Sequence, residues 1–235
     1  TYLEPNFIFL FLSVLYFFST YLMLYEKDNN QFSNEKSSFK ELFSVVISEV
    51  LKKPILITVI LLTPLFNIFG LPFLSLIGIL VIEKFAINPF NTGIIVSVEG
   101  LGAFIGGILI SAFPPIRKQL FFCLTLFLLF VFISSIAIST NLILIIILLF
   151  FAGFVTSSYS ALQSSIVYLY SNPSLRSSTF SLLTIAIGSG AIGTLNISFM
   201  SSNFSTQLLT LIMGLEGIIF FILIMIFLKV KYQKF

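Results

Sequence analysis

Histidine and tryptophan are absent from this 235-residue chain, cysteine occurs once, and Asp, Glu, Lys and Arg together make up only 9%. Each shortage closes off a class of function. A soluble domain carries about 25% charged residues, so a disordered chain, a nucleic-acid binder and almost any water-soluble globular fold are excluded. One thiol, Cys123, allows neither a disulfide framework nor a thiolate metal site, and it sits in an apolar run as a packing residue. An enzyme embedded in the membrane would need a convergent nucleophile, base or metal ligands, and these residues do not supply them. The chain therefore reads as a non-enzyme, with no cofactor and no metal expected. Thr1 stands where an initiator Met would be, which reads as an internal fragment. Glu4 in place of a basic opening argues against a signal peptide.

What is present points to lipid as the solvent. Apolar residues make up 58%, Phe alone occurs 30 times, and the mean hydropathy is +1.13. A membrane-crossing helix needs about 20 mainly apolar residues. Seven segments qualify: 5–25, 54–82, 92–113, 119–138, 142–169, 177–200 and 206–228. They are continuous apolar runs, without the alternation of a membrane β-barrel. The expected fold is all-α and membrane-embedded. Eleven of the twelve Lys and Arg, among them Arg117, Lys118, Arg176 and Lys229, fall on one side of this topology, and only Lys84 on the other. The positive-inside bias makes that side, and the C-terminus, cytoplasmic.

The stretch 26–53 is the one long connection. Its first part, EKDNNQFSNEKS, is a polar linker. Its second part places Phe39, Leu42, Phe43, Val46, Val50 and Leu51 at helical spacing, with Lys40, Glu41, Ser44, Ser48 and Glu49 opposite, as in a helix lying on the cytoplasmic membrane face. The chain divides into a first helix (1–25), this linker (26–53) and a six-helix bundle (54–235).

The six later spans form two triplets, and the middle helix of each holds a glycine cluster: Gly100, Gly102, Gly106 and Gly107 in one, Gly188, Gly190 and Gly193 in the other. Triplets of odd number enter the membrane from opposite sides, the layout of an inverted repeat. Gly188–Gly193 also satisfies G-x-G-x-x-G. Inside an apolar span it lacks the strand a dinucleotide fingerprint requires, so small residues for close helix approach are the reading taken. Such contacts serve either a sliding interface with a second half or ordinary tight packing.

Span 54–82 is interrupted by Pro64, Asn67, Gly70 and Pro72, which predicts a kink or an unwound turn lining a pathway. Two ionisable residues lie within spans, Glu99 and Glu216, and intramembrane carboxyls are functional candidates by default. Both are candidate proton carriers, against the plainer alternative of a structural carboxyl. Span 142–169 turns polar in its second half, with Tyr159 and Gln163 as candidate contacts to a hydrated cavity. Asn67 and Asn196 have the same two readings, cavity contact or interhelical hydrogen bond.

Three stretches carry a resemblance. Asn67–Ser75, the cluster Gly100–Gly107, and Pro173-Ser-Leu-Arg176 followed by Phe180-Ser-Leu and Gly188–Gly193 are similar to the seventh, eighth and eleventh helices of a major facilitator superfamily transporter. The chain resembles the C-terminal half of that fold, closest to the macrolide-efflux and enterobactin-exporter-like branch. The resemblance implies a twelve-helix fold of which 5–25 is the sixth helix. It also implies cavity-lining seventh and tenth helices, and eighth and eleventh helices that meet a missing N-terminal half. The loop Phe113–Lys118 keeps basic residues but no acidic partner, and Ser177-Ser178 stand where the family favours Gly-Arg. These departures put charge-pair locking of the inner gate in question. The implied function is a proton-coupled exporter of small amphipathic molecules in the cell membrane, working by alternating access. An importer of a small solute and a non-transporting scaffold are the alternatives.

Overall fold

In the computed structural model the described residues are 5–25 and 39–232, with side chains described for 10–22 and 43–229. The linker stretch EKDNNQFSNEKS lies outside them. No strand occurs among the described residues. The chain divides into two units, Thr1–Ser38 and Phe39–Phe235. The first contains α1 (Pro5–Tyr25), whose described apolar stretch is Leu10–Leu22.

The second unit begins with α2 (Phe39–Lys52), followed by α3 (Pro54–Leu65), a π-helical turn (Phe66–Gly70) and α4 (Phe73–Phe85). Next come α5 (Pro89–Ala112), α6 (Lys118–Ile138) and α7 (Leu142–Tyr170). A 3-10 turn (Pro173–Leu175) leads into α8 (Arg176–Ile187), α9 (Gly190–Met200) and α10 (Thr206–Tyr232). Six segments of this unit are long and apolar enough to cross a membrane: Pro54–Phe85, Pro89–Ala112, Lys118–Ile138, Leu142–Tyr170, Pro173–Met200 and Thr206–Lys229.

Local chemistry sets the ends of these helices. Pro occupies the first turn of α3 and α5, where its missing N–H costs nothing. Asn88 caps α5 by accepting from the Asn91 amide at 2.8 Å, and Asn141 caps α7 through the Ile143 amide at 2.9 Å. Ala86 ends α4 in the left-handed region, with φ of 51°.

The six spans pair in a definite pattern. α5, the middle helix of the first triplet, packs on α7, the first helix of the second. Conversely α8 and α9, the middle segment of the second triplet, pack on α3 and the π turn. α6 packs on α7, and α10 packs on α3, the π turn and α4, while α6 and α10 pack on each other. Exchanging the two triplets leaves this set of pairings unchanged.

α2 packs one face on the bundle. Val46 and Val50 are buried in the core with Leu56, Val59 and Leu183, while Phe43, Val45 and Leu51 stay exposed. Its junction with α3 is fastened by Lys53, whose ammonium pairs with Glu49 at 2.6 Å and donates to the Tyr170 carbonyl at the end of α7 at 2.9 Å. At the opposite end of the bundle Lys84 donates to the Ala137 carbonyl at 2.6 Å, binding the end of α4 to the end of α6.

Candidate functional site

Two of the spans are broken. The interruption expected after Thr63 is a π turn, in which the Leu71 amide donates to the Phe66 carbonyl at 2.8 Å. The second break, between Ile187 and Gly190, falls where the sequence reads as one unbroken span. There Ser189 donates to Ala186 at 3.3 Å and Ile192 to Ser189 at 2.9 Å, a tighter i to i+3 winding. The two breaks meet. A Cβ on Gly193 would collide with the Ile68 carbonyl, and one on Gly190 would touch Leu71 and Asn67. The glycines let the looser helix cross the tighter one backbone to backbone.

Behind the π turn lies a buried polar cluster. Thr63 donates its hydroxyl to the Val59 carbonyl at 2.7 Å and accepts from the Gln163 amide at 2.6 Å. The same amide lies 3.5 Å from the Tyr159 hydroxyl. Asn67 donates back to the Thr63 carbonyl at 2.9 Å. The Tyr159 ring is sandwiched between Phe66 and Phe122, with centroid separations of 4.7 and 4.6 Å. Tyr159, Asn67 and Gln163 are 1%, 4% and 7% exposed. These three candidate cavity contacts therefore lie inside the bundle, where hydrogen bonds join them to α3 and the π turn. A polar group in lipid needs such a partner, and Thr63 supplies the central one. Its place directly before Pro64 is the only sequence signal for it.

Asn196 lies elsewhere. It is half-buried on α9, its amide 3.9 Å from the Met213 sulfur. It lines an open groove of about 490 Å³ between α9, α10 and the π turn. Glu216 lines the same groove, walled by Phe69, Phe199 and Phe220, of which Phe69 and Phe220 stack at 5.4 Å. Its Oε2 atom is buried without a hydrogen-bond partner among the described residues. The structure thus joins one candidate coupling carboxyl to one candidate substrate contact.

Glu99 occupies a different place, on α5 beside a cavity of about 10 Å³ lined by Gly70, Leu71, Thr156 and Ala152. That space is of the order of one water molecule. The backbone here is closely packed. Gly153, a lone glycine in an apolar run, has no room for a Cβ because the Glu99 carbonyl occupies that position. Gly102 and Gly106 likewise face the carbonyls of Phe150 and Phe154 on α7, whereas Gly93, Gly100 and Gly107 face open space. Gly188 touches only carbonyls of its own helix. Pro72 and Gly70 are buried at the end of the π turn, and Pro64 is half-buried within α3.

The basic loop residues are also placed. Arg176 lies with its guanidinium carbon 4.1 Å from the Tyr168 ring centre, a cation–π contact. Arg117 precedes the first turn of α6 and Lys118 begins it. No family model, no curated protein and no solved structure matches the chain.

Proposed function

We propose that this bundle is one half of a secondary active transporter of the major facilitator type, exporting small amphipathic molecules by alternating access in exchange for protons. One observation supports this reading above the rest. Each middle segment has a small-residue face buried in the bundle and a second small-residue face left outside it. On α5 the inner face is Gly102 and Gly106, and the outer face carries Gly93, Ser97, Gly100 and Ser111, all exposed, with the exposed Phe104 and Ile108 between the last two. On α8 and α9 the inner residue is Gly193, and the outer face runs through Ser177, Ser181, Thr184, Thr194 and Ser198.

Lipid gives no reason to display hydroxyls and bare backbone along a helix. A second helical bundle does, because small residues let helices approach closely. The occupant of these faces is the other half of the transporter. The exchange symmetry of the two triplets fits an inverted repeat of the kind secondary transporters use. Glu99 and Glu216 are the proton-carrying candidates, and the groove of Asn196 and Glu216 is the candidate cargo contact. The end bearing Arg117, Lys118, Arg176 and Lys229 faces the cytoplasm of a cell-membrane protein.

Proteoliposomes holding the protein with its second bundle, loaded with a fluorescent amphipathic dye, test the proposal. An imposed pH gradient drives dye movement, and Glu99→Gln or Glu216→Gln uncouples it. Movement indifferent to the gradient and unchanged in both variants refutes proton coupling.

A further inference from the structure

A cavity of about 690 Å³ opens at the basic end of the bundle, between the starts of α3 and α6 and the last turns of α7 and α10. It has two chemically distinct parts. Its lining includes Arg117 and Lys118, and no carboxylate lines it among the described residues. Its apolar lining comes from Ile55, Leu120, Cys123 and Met225. Cys123 lies five residues into α6, roughly 7 Å from Lys118 at the rise of an α-helix.

Two other cations at this end, neither of them lining the cavity, are engaged elsewhere. Lys53 is held by Glu49 and the Tyr170 carbonyl, and Arg176 by the Tyr168 ring. Arg117 and Lys118 have no hydrogen bond or ion pair from their side chains among the described residues. Gln119, also at the rim, gives its amide to the Thr58 hydroxyl at 3.1 Å, which holds the start of α6 against α3. α6 itself begins without a side-chain cap, so its first amides add partial positive charge at the same mouth.

A soluble anion would satisfy the mouth but leave the apolar wall wet. A neutral lipid would fill the wall but leave two cations beside it unpaired. We propose that this cavity binds an anionic phospholipid of the leaflet at the basic end. Arg117 and Lys118 hold its phosphodiester, and the first carbons of an acyl chain lie along Ile55, Leu120 and Met225. Basic pockets between membrane helices take anionic head groups in this way. The site is independent of the direction, cargo and coupling of transport.

The complete absence of Trp from the chain provides the reporter. Leu120→Trp places a single indole at the cavity wall, at a position 56% exposed, and Ile143→Trp places one at the opposite end, 69% exposed. The full chain is reconstituted in phosphatidylcholine containing either brominated phosphatidylglycerol or brominated phosphatidylcholine, and fluorescence quenching is read. At Leu120→Trp, phosphatidylglycerol is preferred roughly tenfold, as two basic side chains at a membrane surface allow. Arg117→Gln with Lys118→Gln brings that preference to about one while quenching by phosphatidylcholine persists, and an unchanged thermal unfolding midpoint shows the bundle still folded. Ile143→Trp shows no preference, and inorganic phosphate in solution does not displace the brominated lipid. Equal quenching by both lipids at Leu120→Trp, a preference that survives removal of both charges, or displacement by inorganic phosphate would each overturn the proposal. Should Leu120→Trp not fold, Ile116→Trp at the fully exposed rim carries the same comparison.

Discussion

Gln163 on α7 donates its side-chain amide to the hydroxyl of Thr63 on α3 at 2.6 Å, joining the first helices of the two triplets at a buried point. Both partners are held by their own helices as well, Thr63 through Val59 and Gln163 through its neighbour Tyr159.

Removing either partner should therefore destabilise the bundle while leaving its topology intact. Thr63→Val or Gln163→Leu should each cost about 1–2 kcal/mol. The double variant should cost less than the two together, with a coupling near 0.6 kcal/mol, the usual value for such bonds in membranes. Unfolding of the four proteins in mixed micelles, analysed as a double-mutant cycle, measures it.

The Tyr159 ring and its hydroxyl have separable roles. Tyr159→Phe keeps the stack with Phe66 and Phe122 and should cost about 1 kcal/mol for the lost hydroxyl. Tyr159→Ala opens a void between two rings and should cost about 3–5 kcal/mol. Thermal unfolding of the two variants in the same detergent distinguishes them.

The glycines fall into two sets with opposite expected responses. At Gly102 and Gly153 an added methyl meets backbone carbonyl oxygen, so Gly→Ala should destabilise by about 1–3 kcal/mol or force α5 away from α7. At Gly93 and Gly107 the methyl meets open space, and the same change should be neutral or stabilise the helix by up to about 1 kcal/mol. Melting temperatures of the four single variants give the comparison. If the outer face of α5 docks a second bundle, Gly100→Leu should leave the melting temperature of this unit unchanged yet weaken co-purification of the two halves.

Lys84 illustrates a charge held by backbone. Its ammonium closes the end of α6 through the Ala137 carbonyl. Lys84→Met should cost about 1 kcal/mol, as for loss of a cation at a helix C-terminus. Faster hydrogen exchange confined to the last turn of α6 and the connection to α7 would mark the loss as local.

The sequence makes the spans legible because hydrocarbon demands long apolar runs with polar punctuation. Pro64, Gly70 and Pro72 mark the first break for the same reason, since each disturbs helix geometry without any tertiary context. Rotation of a helix about its axis is a different matter. Lipid-facing and bundle-facing residues are equally apolar, so periodicity does not say which way Tyr159 or Gln163 points. A hydrated cavity and a buried cluster draw on the same polar residues, and only Thr63 across the interface decides between them. Gly153 escapes notice because it is a lone glycine in an apolar run, and its need appears only when the Glu99 carbonyl is seen against it. The break at Gly188-Ser189 is equally hidden, for glycine in a membrane helix signals packing as often as winding.

The π turn at Phe66–Gly70 also sets the phase of its own helix. Holding one residue more than an α turn would, it advances everything after it by about 100° around the axis. α3 accordingly packs against α7, α8 and α10, whereas α4, in the same span, packs against α5 and α10. One inserted position lets a single span change neighbours midway without bending out of the bundle. Deleting one residue between 66 and 70 should turn Phe73, Leu76, Ile77 and Leu80, all buried, away from the core together. A one-residue deletion there is thus a repacking of half a helix.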